Sequence, residues 1–387
     1  MIKTYIAYTE EVDDIDIALS EIKSQLNFET NLLKNSIAII ACHDEFLISG
    51  LLQGVCKSLP FEVVGAVSYP IAVGEKISTL LLSVMLITSD DVEFIVELTQ
   101  PLVNDPGNEI KESYKKASYK KEEKPSLILT FAPFMIQNSG DEYVKSFTQI
   151  SGGVPCFGTL AIDNTVDLSN CFVVYNGEYY SDRMVFVLVY GNISPKFYIA
   201  SVIEEKVLDK SALITKSSGH TIMEINGHSV DDFFKDLGLS TAVEKGYSMT
   251  SLPFLLDYND GTQKVSKIFI RMTEERYALC AGEVPEGSTL YIAPSNKSDI
   301  LYTTSIVADE FLKDIENASG MLIYTCISRS MIMGADQFEE MSLIYDKVNC
   351  RIPYMIACSG GEICPTQVSN NVAINRFHNN SFIVMIF

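Results

Sequence analysis

Residues 36–43, SIAIIACH, begin a unit that the chain repeats three times. The run is apolar and rich in isoleucine, which predicts a buried strand. A helix-like stretch, FLISGLLQGVCKSL, follows it, and then come three strand-like runs, FEVVGAVSY, STLLLSVMLIT and VEFIVELT. Strand, helix and strand in succession predict a parallel crossover connection. The trailing strands predict antiparallel hairpins.

Two further copies keep the same order of runs. The second begins at Pro125 and reads PSLILTFA, DEYVKSFTQI, VPCFGTLAI, CFVVYNGEYY and MVFVLVYG. The third begins at Gly320 and reads GMLIYTCI, QFEEMSLIYDKV, IPYMIACSGGE, NVAINRF and SFIVMIF, the last two as a closing hairpin. The alignment places Gly65, Gly158 and Ala357 at equivalent points of the second strands. We therefore predict an α/β (mixed α+β) fold of three β-α-β-β-β repeats, whose mixed sheets are covered by helices.

A lysine- and glutamate-rich segment with three prolines separates the first two copies, and it is typical of a surface connection. After the second copy the pattern changes to short strands and glycine turns. The predicted organisation is residues 1–205 as the first domain, with repeats at 36–99 and 125–202 joined by a polar linker at 100–125, and residues 206–387 as the second, with a joint and β-rich insert at 206–318 and the third repeat at 319–387.

The composition excludes several classes of partner. The chain of 387 residues has a formal net charge of −21, which disfavours binding to nucleic acid or to an anionic membrane surface. The longest apolar run is too short to span a bilayer. The nine cysteines contain no C-x-x-C pair and lie mostly in apolar runs, which indicates a reducing compartment. We expect a cytoplasmic protein that does not insert into membranes.

The densest polar residues lie in the third copy. Cys326 and Arg329 follow its first strand, Gly361 and Glu362 follow its second, and His378 and Asn379 lie at its last turn. The carboxyl ends of parallel strands are the usual place for ligands in open α/β sheets. We therefore expect these side chains to line one concave ligand site.

The order of these residues resembles the last region of the FIST family, named for F-box and intracellular signal transduction proteins. That region commonly reads C-x-x-R … P-x-x-G-F-Y-x-x-G-E-I-x-P … H-N. The matching positions are Cys326, Arg329, Glu340, Pro353, Gly361, Glu362, Ile363, Pro365, His378 and Asn379. Residues 217–238 resemble the joint between the two FIST regions, so the resemblance covers nearly the whole chain.

Two positions depart from the family pattern. The aromatic pair before the last G-E is replaced by Ala357 and Cys358, and the N-terminal G-C-S-T-x-G-E loop is replaced by residues 65–70, which contain Ser68. The resemblance implies a sensory protein that binds a small ligand, an amino acid or a relative, with Ser68 among the site residues. No output module is visible, so a signal must pass to a downstream partner. Some family members are reported as haem-binding nitric oxide sensors.

Each candidate residue has two interpretations. Arg329 and Glu362 form a salt-bridged pair that binds a ligand carboxylate and ammonium; alternatively, Glu362 faces water in a turn and Arg329 caps a loop, contributing little to the core. His378 is either an axial haem ligand or a residue of a hairpin tip. Cys326 is either a nucleophile with His378 as its base or a packed thiol.

The sequence contains no P-loop, dinucleotide fingerprint, nucleophile elbow or zinc motif. Its four histidines have no metal-site spacing. We therefore expect a protein that is not an enzyme and requires neither a metal nor a cofactor. Two alternatives stay open, a haem-based nitric oxide sensor and a hydrolase or transferase that uses Cys326.

Overall fold

The computed structural model describes residues 1–119, 121–165, 168–209, 211–238, 252–370 and 372–387. Its strands are β1 (Ile2–Thr9), β2 (Asn35–Cys42), β3 (Glu62–Val67), β4 (Ile71–Val73), β5 (Lys76–Ser78), β6 (Leu82–Ser89), β7 (Glu93–Leu98), β8 (Leu127–Ala132), β9 (Cys156–Leu160), β10 (Val173–Tyr175), β11 (Glu178–Tyr180), β12 (Val185–Tyr190), β13 (Lys196–Ala200), β14 (Ser211–Ser218), β15 (Thr221–Ile225), β16 (His228–Ser229), β17 (Pro253–Asp257), β18 (Val265–Met272), β19 (Ala278–Cys280), β20 (Thr289–Ile292), β21 (Met321–Cys326), β22 (Tyr354–Ser359), β23 (Glu362–Ser369), β24 (Val372–His378) and β25 (Phe382–Ile386).

The described α-helices are α1 (Ile15–Leu26), α2 (Phe28–Asn31), α3 (Glu45–Ile48), α4 (Leu51–Lys57), α5 (Pro106–Ser118), α6 (Gly140–Ser151), α7 (Val230–Asp236), α8 (Lys297–Phe311), α9 (Ile327–Met333) and α10 (Glu339–Val348). Short 3-10 turns occur at Glu204–Lys206, Ile315–Asn317 and Gly334–Asp336. Within the described ranges, no helix is both long and apolar enough to cross a membrane.

The three repeats build three six-stranded sheets of the same design. Sheet 1 has the order β1-β6-β2-β3-β10-β11, sheet 2 has β7-β12-β8-β9-β23-β24, and sheet 3 has β13-β25-β21-β22-β4-β5. In each sheet the first two strands of one repeat are parallel neighbours, and the repeat's later long strand (β6, β12 or β25) pairs antiparallel with the first. The predicted mixed α+β fold of three repeats is therefore confirmed.

The second strands are equivalent in register. Gly65 lies opposite Ile40, Gly158 opposite Thr130, and Ala357 opposite Tyr324. A Cβ added at Gly65 would lie 2.0 Å from the Ile40 carbonyl oxygen, and one added at Gly158 would lie 2.1 Å from the Thr130 carbonyl oxygen. The two glycines thus permit the same close approach of neighbouring strands.

The predicted closing hairpins are wrong. Strand β7 does not pair with β6 but with β12 of the second repeat, and β13 pairs with β25 of the third. Strands β24 and β25, predicted as one hairpin, lie in different sheets. The hairpins that do form (β4–β5, β10–β11 and β23–β24) each extend a sheet of another repeat. This exchange covers sheet edges that would otherwise be open, and local sequence pattern does not encode it.

The three sheets share one central core. Its buried residues come from the inner faces of all three sheets, among them Ile39, Leu129, Phe131, Tyr324 and Met385. The outer faces pack against helices, with α1, α3 and α4 on sheet 1, α5 and α6 on sheet 2, and α8 and α10 on sheet 3. The sheets are therefore buried on both faces, which explains why their strands read as continuous apolar runs.

The polar linker contains a packed helix. Asp105 caps α5 by accepting from the Asn108 N–H, and Pro106 begins the helix. Ile110, Tyr114 and Ala117 recur at helical spacing and are buried against the core of sheet 2. The lysines and glutamates that suggested a surface connection occupy much of the other face of this helix.

The β-rich insert forms a seven-stranded sheet in the order β14-β20-β17-β18-β19-β15-β16. It has its own core, which includes Phe234, Phe254 and Phe269, and Ser229 caps α7. The fully buried Lys267 of β18 joins the insert to the repeats, because its ammonium lies 2.7 Å from Asp141 Oδ2 of α6 and donates to the Phe377 carbonyl oxygen. This places β18 and β19 over the ends of the repeat strands.

Candidate functional site

A cavity of about 390 Å³ lies where parallel strands of all three repeats end. Tyr69 comes after β3, Phe134 after β8, Ile162 after β9, Cys326 at the end of β21 and Gly360 after β22, and all of them line the cavity. Strands β18 and β19 of the insert complete the wall. We call this cavity the axial pocket. The pocket lies at strand ends, as was expected of a ligand site, but strands of all three repeats contribute to it rather than those of the third repeat alone.

The wall of the axial pocket is mainly apolar. Its apolar lining includes Phe134, Ile136, Ile162, Leu168, Ile268, Ile270, Leu279, Ile327 and Met331. Arg271 lies at the exposed side of the pocket and has no ion pair within the described ranges. Asp163 also lines the pocket, but its carboxylate already accepts hydrogen bonds from Thr165 and from the Asn170 N–H. The pocket therefore offers one unpaired guanidinium beside an apolar wall.

A histidine lies at the rim of the axial pocket. The ring of His43, which directly follows β2, packs edge-on against Tyr69 at 6.1 Å and lies 3.5 Å from Asn164 Nδ2. Its Nδ1 is 2.9 Å from Asp44. The sequence analysis missed His43, which neighbours two lining residues, and it missed Asp163 and Arg271, which line the pocket. The first two follow strand ends and were detectable by that rule, whereas only tertiary packing brings Arg271 of the insert here.

Arg329 does not line the axial pocket, and the predicted salt bridge between Arg329 and Glu362 is not formed. It lies in α9, is fully buried, and its guanidinium forms a salt bridge of 2.7 Å with Glu340 rather than with Glu362. It also donates to the carbonyl oxygens of Ser201 and Ile300 and to Thr304 Oγ1. With its donors occupied by the protein, Arg329 has no free fork for a ligand carboxylate.

The carboxyl group of Glu362 lies buried near the pocket and lacks hydrogen-bond partners among the described residues. The side chain is fully buried, and neither carboxyl oxygen has a hydrogen-bond partner among the described residues. The alternative that Glu362 faces water is therefore wrong. Burial raises its pKa well above the usual value, while the Cys326 thiol, the Ser359 hydroxyl and the Ser381 N–H oppose this without reaching hydrogen-bond geometry.

The side chain of Asn379 is a second buried polar group that lacks hydrogen-bond partners among the described residues. It is fully buried, and both polar atoms of its side-chain amide lack partners in the part of the chain that the structure describes. Its backbone N–H donates to the Ser266 carbonyl oxygen. Its amide lies beside Gly361, because a Cβ added there would be 3.2 Å from Asn379 Nδ2. The same Cβ would lie 2.3 Å from the Phe377 ring, so Gly361 serves close packing.

Cys326 lines the axial pocket as a buried thiol. Burial raises the pKa of Cys326 to about 12, and the nearby carboxyl of Glu362 adds to this effect. A thiol with this pKa is protonated at neutral pH and is a poor nucleophile. The Ser328 hydroxyl lies 3.3 Å from its sulfur and 3.1 Å from Asn380 Oδ1. Among the described residues, the hydrogen bonds from Ser328 and the Asn380 backbone lower the pKa of this thiol but do not offset the effect of burial.

His378 does not line the axial pocket, whereas Cys326 does. It is 3% exposed, and its Nε2 lies 3.1 Å from the Cys364 carbonyl oxygen, so the ring donates there as a neutral imidazole. Burial lowers the pKa of His378 to about 4. It lines a second, more polar cavity of about 480 Å³, together with Ser266 and Asp257. A single concave site lined by Arg329, Glu362 and His378 is therefore not formed, and His378 does not fit the role of an axial haem ligand.

Ser68 has a role in the connection between repeats. It is buried, and its hydroxyl donates to the Cys358 carbonyl oxygen at 2.9 Å. The following Tyr69–Pro70 peptide bond is cis, and it leads into β4, which pairs with β22. Ser68 thus joins the first repeat to the third just outside the wall of the axial pocket.

Two protein-family models match the chain. Residues 36–228 match the FIST N domain, and residues 232–365 match the FIST C domain. No curated protein matches the chain. FIST domains are associated with sensory signal transduction and the binding of small ligands. Because the two matched regions cover nearly the whole chain, this protein belongs to the FIST family.

Proposed function

We propose that this FIST protein is a cytoplasmic sensor that binds an apolar amino acid or a related small carboxylic acid in the axial pocket. It performs no chemical step on the ligand, and it passes the signal to a partner protein. The observation that carries the proposal is the position of the pocket. It is an apolar cavity at the strand ends of three repeats, and Arg271 at its exposed side has no ion pair with any described residue.

The dimensions and lining of the axial pocket suit a small ligand. A volume of about 390 Å³ falls in the range of small-molecule sites, which are lined mainly by apolar groups with a few polar ones. Arg271 supplies a planar fork of donors that matches a carboxylate. The apolar wall takes an aliphatic or aromatic side chain. The ligand is therefore expected to be an amphipathic acid.

A sensor must change when it binds, and the pocket touches parts that are able to respond. Its lining comes from all three repeats and from the insert, so one ligand contacts four segments of the chain. A ligand that binds one arrangement of these segments better than another shifts the population toward it. We propose that the partner reads the position of the insert.

The state of the cysteines supports a reducing compartment. All nine are free thiols, and each of them except Cys350 is buried. Structural cysteines in oxidising compartments are usually paired. This supports the cytoplasmic part of the proposal.

A thermal-shift screen tests the proposal. Purified protein is melted with each apolar amino acid, including L-leucine and L-phenylalanine, and with the matching deaminated acids. A ligand that binds only the folded state raises the melting temperature by mass action. Hits are then titrated calorimetrically against the wild type.

Three variants assign the site. Arg271→Ala is expected to weaken acid binding about tenfold or more, which corresponds to the loss of one charge-assisted hydrogen bond of about 1.5–3 kcal/mol. Ala281 lines the pocket, and Ala281→Trp is expected to abolish binding by filling it. Lys313→Ala, an exposed residue outside the pocket, is the control and should bind like the wild type. Ligand binding that survives Ala281→Trp contradicts the proposal.

A further inference from the structure

Glu362 does not itself line the axial pocket, but it lies close to the lining residues Gly360 and Cys326, which we call the floor of the pocket. Gly360 lines the pocket, and β23 begins two residues later at Glu362. The carboxyl lies near the thiol of Cys326, and this proximity contributes to the raised pKa of the thiol. Asn379 lies beside Gly361, the residue that follows Gly360. Two buried side chains that have no hydrogen-bond partner among the described residues therefore lie close to the floor of the pocket.

The pseudo-threefold arrangement shows that the fold does not need a carboxyl at this position. Glu362 lies opposite Thr159, one residue beyond the Gly158 position. The equivalent residue in sheet 1 is Val173, which lies opposite Ala66, one residue beyond Gly65. In sheet 3 it is Pro70, whose carbonyl oxygen accepts from the Cys358 N–H. Val173 and Pro70 are both apolar, so only sheet 2 has a carboxyl group at this equivalent position.

An unpartnered carboxyl is costly at such a place. Burying a polar group without a hydrogen bond costs roughly 1–3 kcal/mol by mutational data. Asn379 adds a second group in the same condition. An apolar residue at position 362 would avoid this cost, as it does in the other two sheets. The retained polar groups therefore point to a ligand group that completes their hydrogen bonds.

We propose that Glu362 and Asn379 form a polar subsite at the floor of the axial pocket that binds a primary ammonium group of the ligand. The inference rests on the proposed function and names the chemistry of one end of its ligand. An ammonium has three N–H donors and no acceptor. The two oxygens of Glu362 and Oδ1 of Asn379 are three acceptors that have no partner in the part of the chain that the structure describes. Arg271 then remains for an anionic group at the opposite side of the pocket.

Binding of an ammonium changes the protonation of Glu362. Burial favours the neutral form of this carboxyl in the empty pocket, because it raises the pKa well above the usual value. The groups that face it are the thiols of Cys326, Cys358 and Cys364, the ion-paired Arg329 and the cross-strand neighbour His378. The thiols are neutral at pH 7 because burial raises their pKa values, and His378 is neutral because its pKa is about 4. The carboxylic acid therefore loses its proton to solvent as the ammonium forms an ion pair with the carboxylate.

The test uses three probes with one branched alkyl group: L-leucine, 4-methylpentanoate, which lacks the amine, and 3-methylbutan-1-amine, which lacks the carboxylate. We expect the amine to bind the wild type and to release a proton. Calorimetry at pH 7 in phosphate and in Tris measures that release, since the two buffers differ in ionisation enthalpy. This comparison needs only the wild type, so a variant that fails to fold does not remove the test.

The variants then assign the subsite. Glu362→Gln is expected to weaken binding of 3-methylbutan-1-amine at least tenfold and to abolish proton release, and Asn379→Ala is expected to weaken it several-fold. Glu283→Gln is the control, because Glu283 is a carboxyl that also has a raised pKa but is only partly buried and does not line the pocket. Binding of 4-methylpentanoate should not fall in Glu362→Gln.

The outcomes separate the two proposals. One outcome is that 4-methylpentanoate binds the wild type and that Ala281→Trp abolishes this binding, while 3-methylbutan-1-amine does not bind or binds Glu362→Gln as well as the wild type. This outcome overturns the ammonium subsite and leaves the proposed function standing. If the amine binds through Glu362 with proton release, the subsite is supported. If no probe and no screened amino acid or acid binds the wild type, both proposals fail.

Discussion

Nη2 of Arg329 lies 2.7 Å from Oε1 of Glu340, and neither side chain reaches solvent. The other carboxylate oxygen of Glu340 accepts from Thr325 of β21, and Arg329 also donates to the Ile300 carbonyl oxygen of α8. This buried ion pair thus joins α8, α9 and α10 to the first strand of the third repeat.

Breaking this pair should destabilise the protein. Arg329→Met leaves the carboxylate of Glu340 buried without its partner, and we expect a loss of about 3–5 kcal/mol in the free energy of unfolding. Urea denaturation followed by circular dichroism measures it. The double variant Arg329→Met/Glu340→Leu should recover much of the loss, since it leaves no unpaired charge. A loss below about 1 kcal/mol in Arg329→Met would contradict the structural role.

Glu362→Gln should change how stability depends on pH. The pKa of Glu362 is raised in the folded state, so above the usual value of 4.5 the folded protein holds a proton that the unfolded chain has released. Stability from this group is complete at low pH and is lost as the pH rises through the folded-state pKa. Gln does not titrate, so the variant should gain on the wild type with increasing pH.

Urea titrations of both proteins between pH 5 and pH 9 measure this difference, and comparing the two cancels the titration of all other groups. The Glu283→Gln variant is the control for a carboxyl that is less buried. A constant difference in the free energy of unfolding across this range would show that Glu362 has no raised pKa.

Lys267→Met should loosen the insert. Lys267 is fully buried, binds both carboxylate oxygens of Asp141 and lies 4.9 Å from the centre of the Phe377 ring. Its removal leaves the Asp141 carboxylate without its cation, at an expected cost of about 3 kcal/mol. Hydrogen exchange should rise first in β18 and β19. Lys216→Met, which removes an exposed ion pair with Glu224, should change exchange little. Unchanged exchange in β18 would contradict this role.

Gly65→Ala and Gly158→Ala should have similar effects, because the two residues are equivalent. Each added methyl group would meet a backbone carbonyl oxygen of the neighbouring parallel strand at 2.0 or 2.1 Å. Overpacking of this kind costs typically about 1–3 kcal/mol. Thermal unfolding of the two variants measures it. Ala357→Gly at the third equivalent position is the control and should cost no more than about 1 kcal/mol.

The sequence was sufficient for those parts of the fold that local pattern encodes. Apolar runs and their spacing predicted the repeats, the parallel strand pairs and the equivalence of Gly65 with Gly158. It was insufficient for the pairing of trailing strands, because β7 and β24 carry the same kind of apolar pattern whether they pair with their own repeat or with another. Register and partner choice depend on surfaces that are far apart in the chain.

The candidate site shows the same limit. The strand-end rule located the pocket and placed Cys326 at its floor. The spacing of residues in the sequence did not reveal that Arg329 lies in a short helix. It also did not reveal the ion pair with Glu340, eleven positions away, because a guanidinium reaches partners in several directions. Arg271 has no local signal at all, since it becomes a pocket residue only through the packing of the insert against the repeats.

The exchange of hairpins and edge strands has a consequence for cleavage of the chain. A cut in the segment between β7 and β8 leaves β7 hydrogen-bonded to β12 and β4–β5 hydrogen-bonded to β22. The two pieces would therefore remain one particle, held by main-chain ladders rather than by a peptide bond. Each piece expressed alone would lack strands in the middle or at the edges of its sheets. Co-expression of the two should restore the native assembly, as in proteins that function as split halves.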